Sequence, residues 1–286
     1  MSDLFQPITM EQLTDWVFTE LEEKDSIFGV PSQAFFRPSE ADRFRLTNYG
    51  ETLETPFGVA AGPATQMAQN IVVSWLVGAR FIELKTVQTL DELDINKPCI
   101  DIEDEGYNVE WSQELKVHES FDEYLRAWVL IHALHHKLGF PGMKPGMIFN
   151  MSVGYNLEGI LEPNVQWYLD VMDDSSGYIE QYVDIVAHRY PRIRDLVVPS
   201  QLSNTITLST MHGCPPEEIE QISTYLLEER GLNTSVKVNP TLLGADRVRQ
   251  IINDELGFMD ITIPDEAFGH DLKYVDAVPM FYNLKR

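Results

Sequence analysis

The chain has 286 residues, 45 of them acidic and 21 basic, and its formal net charge of −24 argues against nucleic acid as a partner, because it repels polyphosphate backbones. The 44% hydrophobic content is that of an ordinary globular protein. The sequence has two cysteines, no signal peptide and no apolar run long enough to span a bilayer, so we expect a cytoplasmic protein without a disulfide framework, metal site or iron-sulfur cluster of its own.

The first fifty residues, 1–50, predict an appendage to the larger domain formed by residues 51–286. Residues 10–23 have an amphipathic helical pattern, and residues 27–36 are interrupted by a glycine and a proline. We expect the appendage to cap the larger domain or cover one of its edges.

From Phe57 onward, strand patterns alternate with helical patterns. The predicted strands are 57–61, 81–87, 146–153, 205–211, 235–239 and 259–263. The predicted helices are 64–77, 120–138, 165–190 (with a break near 173–177), 216–230, 245–256 and 272–284. This alternation predicts parallel strands joined by right-handed crossovers, in a (β/α)₈ barrel or a doubly wound open sheet.

The segment 88–145 between the second and third strands predicts an insertion, acidic at first and then helical. Insertions of this kind are typical of the loops above the catalytic face of a barrel. Its helix opens with Ser120 and Glu123, which have the spacing of a capping box.

The first two strands end in residues of opposite character. The first runs into Ala60, Ala61 and Gly62, which carry almost no side chain, and the second ends in Lys85 and Thr86. Parallel strands present their carboxyl ends at one edge, where a flat ligand could lie against bare backbone while an ammonium reaches it. A tight turn and a solvated lysine would produce the same pattern.

Three later strand ends also carry polar groups. Asn150 and Asn156 follow the third strand and offer both donors and acceptors to a heterocycle. His212 and Cys214 lie in the loop after the fourth strand, where a helix dipole and an imidazolium would favour a thiolate. Lys237 interrupts an otherwise apolar strand, which predicts a buried lysine with a partner.

Together these segments resemble the FMN-binding barrel of the dihydroorotate and dihydropyrimidine dehydrogenase superfamily, over residues 56 to about 263. The resemblance implies an FMN-dependent oxidoreductase that transfers hydride to or from a small, possibly pyrimidine-like substrate, by CH–CH or related chemistry. It implies FMN contacts from Ala60, Ala61, Gly62, Lys85, Thr86, Asn150, Asn156 and Lys237. Cys214 would be the acid/base, supported by His212, and Lys237 would lie near flavin N1.

The local sequences around Asn150 and Cys214 look closest to those in the first domain of the large iron-sulfur flavoproteins classed as selenate reductases. That resemblance implies electron transfer with partner modules carrying FAD, NAD(P) and iron-sulfur clusters, and homo-oligomers are a further expectation. One departure is Met211, which stands where the superfamily usually has a substrate-binding asparagine.

The sequence predicts about six of the eight barrel strands, and no glycine pair after Asp265 resembles the phosphate-binding loops of strands seven and eight. We therefore expect an incomplete barrel, truncated at its carboxyl end. Two alternatives stay open: a Schiff-base lyase or aldolase using Lys85 or Lys237, and a non-catalytic barrel that docks redox modules.

Overall fold

The computed structural model describes residues 6–90, 100–101, 107–108, 114–209, 214–269 and 271–285. Its strands are β1 (Ser26–Ile27), β2 (Val30–Pro31), β3 (Leu46–Asn48), β4 (Glu51–Leu53), β5 (Gly58–Val59), β6 (Phe81–Glu83), β7 (Ile100–Asp101), β8 (Tyr107–Asn108), β9 (Ile148–Val153), β10 (Thr205–Ser209) and β11 (Asn233–Lys237). Its α-helices are α1 (Met10–Lys24), α2 (Ala68–Leu76), α3 (Val117–Lys137), α4 (Leu157–Ile160), α5 (Pro163–Asp173), α6 (Ser176–Ala187), α7 (Pro216–Thr224), α8 (Ala245–Arg249) and α9 (Tyr274–Leu284).

Five of these strands form one parallel sheet in the order β5-β6-β9-β10-β11, and three antiparallel pairs, β1–β2, β3–β4 and β7–β8, lie outside it. The order in the large sheet is the order along the chain. A doubly wound sheet reverses its strand order at a switch point, whereas a barrel adds each strand beside the last. The predicted α/β class with parallel strands is confirmed, and the described strands follow the barrel order.

The core lies between the sheet and its helices. In β9 the alternate residues Phe149, Met151 and Val153 are buried, and they belong to the same hydrophobic cluster as much of α3. Because side chains alternate across a strand, this apolar set lies on one face of the sheet and leaves the opposite face to the intervening residues.

The predicted sixth strand, 259–263, is wrong. The described residues there form a turn followed by irregular backbone. Side chains take the carbonyl groups that a neighbouring strand would have used: Asn253 Nδ2 donates to Phe258 O at 2.7 Å and Ile261 O at 2.8 Å, and Arg249 donates to Ile263 O at 2.6 Å.

The capping box at Ser120 is also wrong, because α3 begins earlier, at Val117. The Lys116 N–H is bound by Glu119 Oε2 at 2.9 Å, so the reciprocal partner lies one position before the predicted start. Glu123 instead accepts a 2.7 Å hydrogen bond from Ala68 N and thereby caps α2. A carboxylate at a helix amino terminus also interacts favourably with the dipole.

The hairpin β3–β4 contacts the far edge of the sheet, since Tyr49 Oη lies 2.8 Å from Ser235 Oγ on β11. Next to the hairpin, Glu54 N donates to Gly146 O at 3.0 Å, just before β9. The hairpin therefore links segments that are far apart in the chain.

The last part of the chain has no comparable core. None of the described residues from 233 to 276 is buried, although many are apolar. Large exposed side chains concentrate there: Leu256, Phe258, Met259, Val275 and Tyr282 are each at least half exposed. Nowhere in the described ranges is a helix both long and apolar enough to cross a membrane.

Candidate functional site

The candidate site is the polar face of the parallel sheet. Strand registers and side-chain contacts place polar residues on that face in β6, β9, β10 and β11, and just after β6. These residues are Glu83, Thr86, Asn150, Ser152, Thr207, Ser209, Ser235 and Lys237. A sheet with one apolar face against helices and one polar face turned inward is suited to binding a polar ligand.

An ion pair shows that this polar face is concave. Lys237 Nζ on β11 lies 3.5 Å from Glu83 Oε1 on β6, although β9 and β10 lie between those strands. In a flat sheet three strand spacings would separate the two backbones by about 14 Å, more than the side chains can bridge with ease. The contact therefore indicates that the sheet curves, as a barrel wall does.

Asn150 lies at the centre of the face, completely buried. Its Nδ2 donates to Thr207 Oγ1 at 2.7 Å and to Met151 O at 3.1 Å. Its Oδ1 is buried and accepts no hydrogen bond from the described residues. Because a buried acceptor without a donor costs free energy, this oxygen is suited to accepting an N–H from a ligand.

A row of hydroxyl groups crosses the same face. Thr86 Oγ1 lies 2.8 Å from Ser152 Oγ, which lies 3.0 Å from Ser209 Oγ. Thr86 joins the row because the register slips: Glu83 pairs with Asn150 while Val87 pairs with Val153, so one extra residue is accommodated. This is the geometry of a β-bulge, and bulges commonly re-aim side chains beside active sites.

Lys85 is fully buried next to Glu114, with Nζ 3.6 Å from Glu114 Oε1. Tyr124 Oη donates to the Lys85 carbonyl at 3.0 Å, and burial raises the pKa of Tyr124. The predicted contact of Lys85 and Thr86 with a cofactor stays a prediction. The structure places Thr86 in the hydroxyl row and the Lys85 ammonium beside a buried carboxylate.

The glycines in and after β5 differ in whether packing requires them. A Cβ on Gly58 would lie 1.5 Å from Phe81 O, so strand packing alone requires glycine there. Among the described residues a Cβ on Gly62 would meet only Ala60 O, at 3.9 Å, and the Gly62 backbone is extended, with φ 177°. Gly62 is buried, yet neither a close contact nor backbone strain among these residues requires glycine there. Ala60 is exposed and Ala61 half-buried beside it.

Asn156 has a local role in the fold. Its Oδ1 accepts a 2.8 Å hydrogen bond from Gly159 N and caps α4. The predicted cofactor contact of Asn156 stays a prediction, because its Nδ2 group could still donate to a ligand.

Lys237 ends β11 and its side chain is 48% exposed. The expectation that it is a buried lysine is therefore wrong, because the strand ends at this residue and opens to solvent. The expectation of a partner is met by Glu83.

Cys214 is partly buried, and its Sγ lies 4.0 Å from Glu218 Oε2. Burial, assisted by the Glu218 carboxylate, raises the pKa of the thiol to about 11. These surroundings act against the expected thiolate, since both effects disfavour negative charge on sulfur. His212 lies outside the described residues. As an acid/base, Cys214 would hold its proton at neutral pH and donate it.

We expect iodoacetamide to alkylate Cys214 about tenfold more slowly in the folded chain than in urea at pH 8. A pKa raised from 9.0 to about 11 lowers the thiolate fraction about 100-fold. The greater nucleophilicity of a more basic thiolate restores about tenfold. Peptide mass spectrometry separates Cys214 from Cys99.

Glu218→Gln should accelerate this alkylation, whereas Glu217→Gln, at the exposed neighbouring position, should not. The folded rate should keep rising with pH until the pH passes about 11. Equal rates in the folded and unfolded chain would show that the thiol is not suppressed.

Sequence reasoning missed Glu83, Glu114, Ser152, Thr207 and Ser209. Strict alternation was a signal for three of them: in β9 and β10 the residues Asn150, Ser152, Thr207 and Ser209 alternate with apolar ones. Such a pattern indicates a strand with one polar face. Glu83 and Glu114 carried no local signal. In the described part of the chain, no three His, Cys, Asp or Glu side chains form a candidate metal site.

Comparison with known proteins identifies close relatives. A family model described as the N-terminal TIM-barrel domain of oxidoreductase YgfK matches residues 28–286. YgfK of Escherichia coli strain K12 is 47% identical over 303 residues, covering 99% of this chain and 29% of that protein, and YgfK of strain O157:H7 gives the same values. The chain thus spans less than a third of the length of these curated relatives.

Two solved structures are more distant. Ligand-free DHODH from Eimeria tenella has 13% identity and a TM-score of 0.35, over 82% of this chain and 70% of that one. DHODH from the same organism in complex with ferulenol has 15% identity and a TM-score of 0.38, over 84% and 69%.

Proposed function

This chain belongs to the family of N-terminal TIM-barrel domains of oxidoreductase YgfK, and from that premise we propose that it is the FMN-binding oxidoreductase domain of a larger redox protein. The observation that carries the proposal is the concave polar face of the parallel sheet, with the buried and unpartnered Oδ1 of Asn150 on it. Ligands of such sheets bind at the carboxyl ends of the strands.

The residues present suit an isoalloxazine ring. No described atom lies closer than 3.9 Å to a Cβ position on Gly62, which leaves room for a flat ring against the backbone after β5. Asn150 Oδ1 supplies an acceptor for a ring imide N–H, and the Lys237 ammonium supplies a positive charge at the rim of the same face. A planar heterocycle with both an imide edge and a site of developing negative charge matches these three features.

FMN, when bound, supplies hydride transfer to or from a small substrate, which we propose to be pyrimidine-like. The protein's own part is to place charges and a proton. Lys237 neutralises negative charge on the bound ring, and Cys214 holds a proton on Sγ that it donates to substrate carbon. Because the described surroundings keep the thiol protonated, they favour substrate reduction over substrate oxidation.

The Schiff-base alternative fits the geometry less well. Such an enzyme needs a neutral lysine amine as nucleophile. Lys85 Nζ lies 3.6 Å from a buried carboxylate and Lys237 Nζ lies 3.5 Å from Glu83, so each side chain is already engaged in an ion pair instead of being aimed at a substrate carbonyl.

A docking role has support of its own. Exposed apolar side chains concentrate between Leu256 and Val275, where none of the described residues is buried, and such surfaces commonly mark interaction sites. We propose that an iron-sulfur or FAD-containing redox module covers this surface. A barrel that docks such modules without binding FMN is the second candidate function.

We expect the purified chain to bind FMN at one per chain, with a visible flavin spectrum that is lost on unfolding and washing. Colourless protein that also fails to bind added FMN would contradict the main proposal. Borohydride trapping in the presence of pyruvate separates the alternatives: an adduct on Lys85 or Lys237 supports the lyase, and neither flavin nor adduct supports the docking barrel.

A further inference from the structure

The Glu83 carboxylate lies on the candidate site's polar face and contacts Lys237. Glu83 is the last residue of β6, its side chain is 13% exposed, and its Oε1 lies 3.5 Å from Lys237 Nζ. That oxygen is buried and has no hydrogen-bond partner among the described residues. Glu83 pairs in the sheet with Asn150 on β9, whose Oδ1 is also buried and has no hydrogen-bond partner among the described residues.

The lysine side of the pair is long and half-exposed. A lysine side chain has a flexible four-carbon stem and loses about 2 kcal/mol of rotamer freedom when it is held in place. Its position in β11 places Lys237 on the polar face, but the strand end is open to solvent, so backbone position alone does not fix where the ammonium lies. The Glu83 carboxylate, three strands away across the concave face, attracts it in that direction.

The separation of 3.5 Å is longer than a charge-assisted hydrogen bond, which is about 2.7–2.9 Å. The pair therefore orients the ammonium by charge and not by a short hydrogen bond. An ammonium carries three donors, and one held by charge can turn a donor toward a ligand on the same face.

We propose that Glu83 is the positioning residue that holds the Lys237 ammonium over the concave polar face, where it neutralises negative charge on a bound ring. This inference rests on the proposed function only for the identity of the ring. The position of the ammonium itself is a property of the chain without ligand.

The first test uses the unliganded chain. Lysines are labelled with ¹³C and ¹⁵N, the Lys237 signal is assigned by its loss in Lys237→Gln, and its chemical shift is compared with that of Glu83→Gln. The shift should move in Glu83→Gln. It should stay unchanged in Glu51→Gln, which removes the carboxylate of the exposed Glu51–Lys144 pair. An unmoved Lys237 signal in Glu83→Gln would overturn the proposal whether or not FMN binds.

The second test measures the reduction potential of the bound flavin, which reports the ratio of the affinities for oxidised and reduced FMN. If Glu83 acts by positioning, Glu83→Gln should shift the potential in the same direction as Lys237→Gln, toward weaker binding of the reduced form. We expect about a fivefold change in the affinity ratio, the amount given by a partly exposed ion pair. The double variant should add nothing to Lys237→Gln.

A shift of opposite sign would overturn the proposal, because it would mean that Glu83 acts only as a negative charge near the ring. Additive shifts in the double variant would overturn it as well. If FMN does not bind at all, the proposed function fails, and the lysine spectra still decide the role of Glu83.

Discussion

Arg80→Leu should lower the free energy of unfolding by about 3–5 kcal/mol, the usual cost of breaking a buried ion pair. Arg80 is completely buried, and its Nε donates to Glu54 Oε2 at 2.6 Å. Its guanidinium also donates to Trp75 O at 2.6 Å and to Ala79 O at 3.0 Å, and it lies over the rings of Trp75 and Phe36. Burial lowers the pKa of Arg80, and Glu54 opposes that shift.

The loss should come mainly from the uncompensated carboxylate, since Glu54 is 2% exposed. Removing both charges in Arg80→Leu/Glu54→Leu should therefore recover part of the loss. Urea unfolding measures each free energy.

The chain contains a matched control for this experiment. The Lys144–Glu51 pair has the same 2.6 Å separation but is about half exposed on both sides. Lys144→Met should cost less than about 1 kcal/mol, because water solvates the remaining carboxylate. Equal losses in Lys144→Met and Arg80→Leu would show that burial is not the cause.

Gly62→Leu should weaken FMN binding about 10- to 100-fold while leaving the fold intact. Gly62 is buried, but among the described residues the new Cβ meets only Ala60 O, at 3.9 Å, so these residues leave room for it. A leucine side chain would then occupy the space proposed for the ring, and such a clash costs about 1–3 kcal/mol or more. Titration of the chain with FMN, followed by quenching of flavin fluorescence, measures the affinity.

Gly177→Leu is the matched control for this substitution. Gly177 lies exposed in α6, no heavy atom of the described residues lies within 4 Å of its would-be Cβ, and leucine is the better helix former. This variant should bind FMN as the wild type does. If Gly62→Leu binds FMN with wild-type affinity, the turn after β5 does not contact the ring, and the glycine serves the fold instead.

The parallel architecture was largely readable from the sequence. Five of the six predicted strands are present, and the helices between them lie close to their predicted positions, because each has an apolar pattern of the right period. The strand at 259–263 failed because the side chains of Asn253 and Arg249 bind its carbonyls, and no apolar pattern reveals that competition.

The candidate site was only partly readable. Asn150, Thr86 and Lys237 were chosen as polar residues at strand ends, and all three lie on the concave face. Their partners Ser152, Thr207 and Glu83 were not chosen, because a hydroxyl or a carboxylate in a strand is usually a solvated residue. Alternation along a strand puts such residues on one face, but only the curvature of the folded sheet shows that this face turns inward.

What the sequence by itself determined is the order of strands and helices and the polar groups at the strand ends, since both depend on residues close together in the chain. Tertiary structure alone decided which charges meet. Two strands lie between Glu83 and Lys237, and Lys85 meets Glu114 beside a bulged strand. Each contact depends on sheet curvature, register or burial, and these are set by packing over the whole domain.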